Sequence, residues 1–175
     1  MKKSILITGV SGVGKTSISQ RLNKMGYKAY DMDSEPELFS MIDKKTGLPV
    51  VNHDNSDIKK VLNMDWICNK EKLVSIIKSE PSQLVFYCGS GSNLDELLYL
   101  FDKIVLLTLS PEIIKERLTT RTEHDFGRTA EIQDWIMSWK DDWENKMIEK
   151  GALVVNTHGT LEEIANDIIQ KIGKS

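Results

Sequence analysis

The sequence predicts an α/β domain built on a central parallel sheet, and three observations carry that prediction. Short runs rich in β-branched residues recur along the 175-residue chain, helical patterns separate them, and the first run opens through a glycine-rich turn into a helix. Several of the runs are apolar throughout rather than alternating, as expected of strands buried on both faces of a sheet.

The strands are read as Ser4 to Thr8, Lys28 to Asp31, Leu84 to Cys88, Lys103 to Thr108 and Ala152 to Asn156. A helix over Gly14 to Met25 follows the first strand. The spacing Ser34…Glu37 in "SEPE" predicts a capping box opening a helix over Glu35 to Ile42. Asn69 to Lys78 carries Leu73, Ile76 and Ile77 at helical spacing, and Asn93 is placed to cap a helix over Leu94 to Leu100. In "SPEIIKERL" Ser110 is the cap and Pro111 the first helical residue. The last helix has Thr160 as cap, Glu163 closing its box and Gly173 as its stop. The interval Pro36 to Pro81 is longer than one crossover needs. Two or three short helices around "KKTGLPVVNHDNSD" make it a flap or second binding surface. No repeat, low-complexity segment or linker divides the chain, so residues 1–175 are expected to form one domain.

Composition narrows the function classes. Hydrophobic residues make up 40% and charged residues 28%, within the globular range. A net charge of −3 provides no electrostatic footprint for nucleic acid or an anionic membrane, so neither is expected as a partner. "MKKSILITGV" runs into the glycine-rich turn too soon for a signal peptide, and no apolar run is long enough to span a bilayer. With only Cys68 and Cys88, a reduced cytoplasmic chain is the simplest expectation.

The firmest chemical signal is Gly9-Val10-Ser11-Gly12-Val13-Gly14-Lys15-Thr16, a G-x-x-x-x-G-K-[ST] pattern between a strand and a helix. Glycines let consecutive backbone N–H groups turn inward onto phosphate oxygens. Lys15 adds a cation at the β and γ groups, and the Thr16 hydroxyl is placed to ligate Mg²⁺. Residues 9–17, with Ser17 at the mouth of the following helix, therefore predict a P-loop NTPase fold that binds ATP with Mg²⁺.

The reaction is narrowed by what is missing. A guanine-reading Asn-Lys-x-Asp is absent; "NKEK" at Asn69 falls on a helix and ends in Lys72. A motor or AAA-type ATPase is expected to end a core strand in Asp or Asp-Glu. Here the third strand ends in Cys88-Gly89 and the fourth in Thr and Ser.

The chain resembles the small P-loop kinases, the shikimate and gluconate kinases and more distantly adenylate kinase. The resemblance rests on "GVSGVGKT", on "YDMDSE" after the second strand, on the glycine-rich end of the third, on "ERLTTR" after the fourth and on "NTHGT" after the last. It implies a five-stranded parallel sheet of order 2-3-1-4-5, a small lid at about residues 117–130 and a helical acceptor-binding insertion at residues 36–81. It also implies that Asp31 supports Mg²⁺ through water and that Asp33 positions, and deprotonates, the acceptor hydroxyl. Arg117 would stack over adenine, Arg121 and Arg128 would reach the phosphates, and Thr157 and His158 would lie in the adenine-edge loop. The residues themselves leave open a plain capping role for Asp33 or Ser34 and a surface role for the arginines. Nothing in the sequence gives His158 an orienting partner, so it is not read as a catalytic acid.

Two features bear on the acceptor. Trp135, Trp139 and Trp143 at i, i+4, i+8 read as the core face of a helix, whereas Trp66 lies on the acceptor side and is the better candidate to meet a substrate. The four arginines are Arg21, Arg117, Arg121 and Arg128, leaving none between Leu22 and Glu116, where an anionic acceptor would be gripped by guanidinium forks. A neutral or cationic acceptor is therefore expected, such as a nucleoside, sugar or polyol. A nucleoside monophosphate kinase and a nucleotide-binding regulatory protein remain as alternatives. Gly89, Ser90, Gly91 and Asn93, at the carboxyl edge of the sheet, are expected to seat the acceptor's polar groups.

Overall fold

The structure, a computed structural model, describes residues 2–122 and 126–174. Its strands are β1 (Lys3–Thr8), β2 (Lys28–Asp31), β3 (Phe39–Asp43), β4 (Met64–Cys68), β5 (Leu84–Cys88), β6 (Lys103–Thr108) and β7 (Leu153–Asn156). Its α-helices are α1 (Lys15–Lys24), α2 (Ile58–Leu62), α3 (Lys70–Ser79), α4 (Pro111–Thr120), α5 (Ala130–Glu149) and α6 (Leu161–Lys174).

Five strands form one sheet in the order β2-β5-β1-β6-β7, every neighbour parallel. Counting only these five in chain order, that is 2-3-1-4-5, the expected sequence. The sheet is covered on both faces, which explains the continuous apolar runs. Alternate residues of β1 divide between them: Ile5 and Ile7 pack with Ile18 and Leu22 of α1, Ile114 of α4, Ile132 of α5 and Ile168 of α6, while Leu6 packs with Leu73 of α3, Tyr87, Leu94 and Leu97. Pro111 is at the start of α4 as expected. At α6 the Thr160 hydroxyl accepts from the Glu163 N–H and the Glu163 carboxylate accepts from the Thr160 N–H, a complete capping box. The helix runs on through Gly173 to Lys174 rather than stopping there.

The insertion holds short helices as expected, α2 and α3, and differs at its start. No helix covers residues 35–42. A single 3₁₀ turn over Met32–Ser34 leads into β3, which pairs antiparallel with β4 as a separate two-stranded ribbon. The Ser34 hydroxyl turns back to the Asp31 carboxylate at 3.3 Å instead of capping a helix. Phe39 stacks on Trp66 across the ribbon, with ring centroids 5.3 Å apart and planes 9° from parallel. Cross-strand aromatic pairing thus decides a segment whose local pattern was ambiguous. Leu94–Leu100 is likewise two short 3₁₀ turns, Leu94–Glu96 and Leu98–Leu100. Asn93 does not cap them because its amide is bonded to the β4 backbone.

Candidate active site

The loop between β1 and α1 is anchored from below. Val10 and Val13 are buried in the core and hold the loop down, while Ser11 and Gly12 between them are half-buried. Gly12 has φ 90°, and a Cβ there would come within 3.2 Å of Ile114 and Leu118 of α4, so the loop needs glycine both for conformation and for space. Lys15 is buried, with Nζ donating to the carbonyls of Gly9 at 2.8 Å and Val10 at 3.1 Å. Burial pulls its pKa below the ordinary lysine value, opposed by the carboxylate of Asp33 and aided by the guanidinium of Arg121, with Asp31 also opposing. Four of the charged residues singled out in the sequence thus act on one another at the C-terminal edge of the sheet.

The arginines of α4 and its exit converge on this loop. Arg117 Nη1 donates to the carbonyls of Gly12 at 3.5 Å and Val13 at 3.4 Å, and Nη2 to the carbonyl of Thr157 at 3.5 Å. It thereby joins the phosphate loop to the loop after β7. Arg121 follows the last helical residue and donates to the Ser11 hydroxyl at 3.1 Å and to the Phe126 carbonyl. Arg128 turns away, donating to the Thr122 carbonyl at 3.0 Å, so it is brought to the lid backbone and not to the phosphate loop. Residues 123–125 of the expected lid lie outside the described residues. Thr157 is buried, its hydroxyl bonded to the Thr108 carbonyl at 3.2 Å; it presents backbone rather than side chain. His158 is exposed.

Asp31 ends β2 and Asp33 lies in the following turn. Asp31 Oδ1 is buried without a hydrogen-bond partner, an acceptor awaiting a donor or a hydrated cation. No cluster of three or more His, Cys, Asp or Glu among the described residues is placed to hold a metal. Thr16, half-buried at the loop mouth, and Asp31 therefore fit Mg²⁺ that takes most of its ligands from phosphates and water, and do not fit a metal caged by protein alone.

The segment after β5 has a different role from the one expected. A Cβ on Gly91 would sit 2.6 Å from the Phe39 ring and 3.0 Å from the Trp66 carbonyl, and one on Gly89 would sit 2.8 Å from Met32. The Ser92 N–H donates to the Trp66 carbonyl at 2.8 Å, and the Asn93 amide both accepts from the Cys68 N–H at 2.8 Å and donates to the Cys68 carbonyl at 3.0 Å. Gly91 and Asn93 seat the protein's own ribbon, Gly89 packs against Met32 of the turn that leads to it, and Ser90 is half-buried. The ribbon in turn delivers Trp66, whose indole N–H donates to Asp33 Oδ1 at 3.1 Å. Trp135, Trp139 and Trp143 lie edge to face along α5 and pack on the core, as their spacing indicates.

Two contributors have no sequence signal. Phe39 is invisible without its partner strand. Gln133, buried in α5, donates to the Thr119 hydroxyl, the Gly127 carbonyl and, at 3.4 Å, the Arg128 carbonyl, tying residues 127–128 to α4.

Residues 5–138, more than half the chain, match the family model described as "AAA domain". The chain belongs to the AAA domain family. Within this AAA domain, β5 ends in Cys88 and Gly89 and carries no strand-end carboxylate, as read from the sequence. Its fold is that of small kinases. A shikimate kinase from Acinetobacter baumannii in complex with shikimate aligns over 99% of this chain and 94% of its own, with a TM-score of 0.64 and 19% identity. A gluconokinase from Sinorhizobium meliloti 1021 covers 98% and 92% with a TM-score of 0.56 and 20% identity. A deoxyadenosine kinase from M. mycoides with bound dATP covers 97% and 99% with a TM-score of 0.54 and 15% identity. No curated protein sequence matches the AAA domain described here. None of its described helices is long and apolar enough to cross a membrane.

Proposed function

We propose that the protein transfers the γ-phosphoryl group of ATP to a hydroxyl of a small neutral or cationic molecule. The observation that carries this reading is the convergence of opposite charges on one buried lysine: Lys15 lies under the influence of Asp33, Arg121 and Asp31, at the mouth of a loop whose backbone is free to face phosphates. A carboxylate held beside an acceptor hydroxyl can orient it and take its proton, as transfer to a hydroxyl requires. The fold neighbours, a shikimate kinase, a gluconokinase and a deoxyadenosine kinase, support the same class.

In this reading residues 9–17 wrap the triphosphate. Lys15 leaves its resting carbonyls for the β and γ oxygens, while Arg117 bridges the two loops beside the base and Arg121 approaches from Ser11. Asp33 orients the acceptor hydroxyl and takes its proton as that oxygen bonds to the γ-phosphorus. The bond from phosphorus to the β-bridging oxygen breaks and ADP leaves. Thr16 would hold Mg²⁺ directly and Asp31 through water, and the ion would supply neutralisation of the charge on the triphosphate.

The deciding experiment follows ADP formation with nucleosides, nucleoside monophosphates, sugars, polyols and hydroxy acids, for the wild type and Asp33→Ala. ADP formation with at least one hydroxyl compound, abolished in Asp33→Ala with ATP affinity retained, is the expected result. ATP binding without turnover for any acceptor would instead favour a regulatory nucleotide-binding protein.

A further inference from the structure

The β3–β4 ribbon carries a continuous surface away from Asp33. Directly opposed residues of an antiparallel pair share a face, and side chains alternate along each strand. Phe39, Met41 and Asp43 therefore stand on one face with their partners Cys68, Trp66 and Met64; the Phe39–Trp66 stack reports the same sidedness. At the far end Asp43 and Met64 wall a cavity of about 410 Å³, closed by Asn52, His53, Lys59 and Asn63. Trp66 and Met64 are two steps apart on one strand, roughly 7 Å. Asp33 is thus connected to the cavity through Trp66 and Met64 along one face of the ribbon.

The cavity's chemistry is polar and balanced. The carboxylates of Asp43 and Asp54 share the lining with the ammonium groups of Lys59 and Lys60, and Lys60 pairs with Asp54 at 3.1 Å. Asp43 Oδ1 is occupied by the turn at Thr46, and Asp54 is bonded to Ser56 and Lys60, which hold both acids below the usual carboxylate range. The side chains of Asn52, His53 and Lys59 make no hydrogen bond or ion pair among the described residues and are available to a ligand.

We infer that the acceptor is a nucleoside, held with its 5′-hydroxyl at Asp33, its pentose across Trp66 and Met41, and its base in the cavity between the loop at residues 50–54 and α2. This inference rests on the kinase reading and narrows it. A lone sugar or polyol placed with one hydroxyl at Asp33 ends over Trp66 and leaves the cavity unused. A nucleoside monophosphate brings a second anion beside Asp31 and Asp33, in an interval with no arginine to receive it. A nucleoside is neutral, spans both places and ends in a ring whose edge offers donors and acceptors to amide, imidazole and ammonium groups. The hydroxyl oxygen bonds to the γ-phosphorus of ATP, its proton goes to Asp33, and the products are the nucleoside 5′-monophosphate and ADP.

The test uses the full chain with Mg²⁺-ATP and the ribo- and deoxyribonucleosides of the common bases. Their 5′-monophosphates, gluconate and sorbitol are run alongside, and products are identified by phosphorus NMR. Expected is a 5′-monophosphate product from at least one nucleoside, at a kcat/KM about 100-fold above any polyol or monophosphate. His53→Ala and Lys59→Gln, both at solvent-accessible positions, are each expected to raise the nucleoside KM about tenfold with kcat within about twofold. Preference for a polyol, a sugar acid or a monophosphate overturns the inference while leaving the kinase reading intact, as does an unchanged nucleoside KM in both variants. No ADP formation with any hydroxyl compound overturns both.

Discussion

The indole N–H of Trp66 donates to Oδ1 of Asp33 at 3.1 Å, joining residues 33 apart in sequence. One belongs to the ribbon and the other to the sheet edge, so the placement of the whole insertion is read out at the carboxylate proposed to orient the acceptor. In Trp66→Phe the stack on Phe39 is retained and the donor is lost. A hydrogen bond to a charged group contributes about 1.5–3 kcal/mol when buried, and less at this exposed carboxylate. The expected outcome is a drop in kcat of roughly three- to tenfold with the KM for ATP unchanged, measured with whichever acceptor turns over. An equal change in both parameters would mean that the indole serves folding alone.

Gly91 sets how closely the ribbon approaches the sheet. The Cβ of Gly91→Ala would lie 2.6 Å from the Phe39 ring and 3.0 Å from the Trp66 carbonyl, and neither ring nor backbone can yield without moving the ribbon. Overpacking of this kind costs about 1–3 kcal/mol. Gly91→Ala is expected to lower the urea midpoint and to reduce kcat further than Trp66→Phe. Gly151→Ala, where a Cβ meets nothing within 4 Å but φ is 89°, controls for backbone strain without ribbon displacement.

The contrast between sheet and ribbon shows what was legible in the sequence. Strands buried on both faces announce themselves by continuous apolar runs, and a loop whose function fixes its glycines and lysine announces itself by spacing, so the five core strands and residues 9–16 are readable locally. Phe39 and Trp66 are neighbours only because β3 finds β4 across more than twenty residues, and the local pattern "SEPELFSMI" satisfies a helix as well as a strand. The same non-locality set Gly91 and Asn93, read as part of a ligand seat, against the ribbon. What the segment "CGSGSN" needed was small residues at a carboxyl edge, and one-dimensional spacing does not say whether the group approaching them is a ligand or the chain itself.

Lys15 couples function to stability with a worked sign. Burial lowers its folded pKa, while in the unfolded chain it titrates near 10.4. Between those values the unfolded state binds more protons, so stability of the free protein rises as pH climbs through that window; below it the folded state carries a buried charge at a cost. Lys15→Met removes that charge along with the two bonds to Gly9 and Val10. Phosphoryl transfer is expected to fall by at least about 100-fold. The melting temperature at pH 7 is expected to rise by about 2–4 °C, corresponding to about 1 kcal/mol. This advantage should shrink as pH approaches 10, because only the wild type has a proton to release.

Gln133 is expected to control the lid's return without touching ATP. Its amide nitrogen reaches Thr119 Oγ1 and the Gly127 carbonyl, both at 2.9 Å, and no apolar residue of similar volume replaces those donors. In Gln133→Leu the buried Gly127 carbonyl loses its donor, as do two part-buried acceptors on Thr119 and Arg128, a loss of about 1–3 kcal/mol. Because Gly127 and Arg128 lie on the return from the segment that Arg121 also grips, the variant should show faster proteolysis within residues 121–129 and a lower kcat. Its ATP dissociation constant, set by residues 9–17 and Arg117, should stay within about twofold of the wild type. Equal loss of ATP affinity would place Gln133 in the structural core of α5 and not in lid positioning.

The final test concerns a charge pair with no catalytic task. Lys140 and Glu144 face each other one turn apart on α5 at 2.9 Å, with side-chain exposures of 7% and 11%, and Asp141 adds a second, exposed partner at 3.2 Å. Glu144 Oε1 is buried without a partner, so the pair is incompletely satisfied. Removing one charge from a buried pair is costly because the other is stranded, whereas replacing both with packed apolar groups is often neutral. Asp141 softens the first effect here. Glu144→Ala should lose about 2 kcal/mol in urea unfolding, and Lys140→Met with Glu144→Leu should lie within about 1 kcal/mol of the wild type. Activity should be unchanged in the double variant, since Lys140 and Glu144 pair with each other and lie well along α5 from Gln133. A double variant as unstable as the single one would show that the pair contributes net stability and not only a constraint on how α5 is buried.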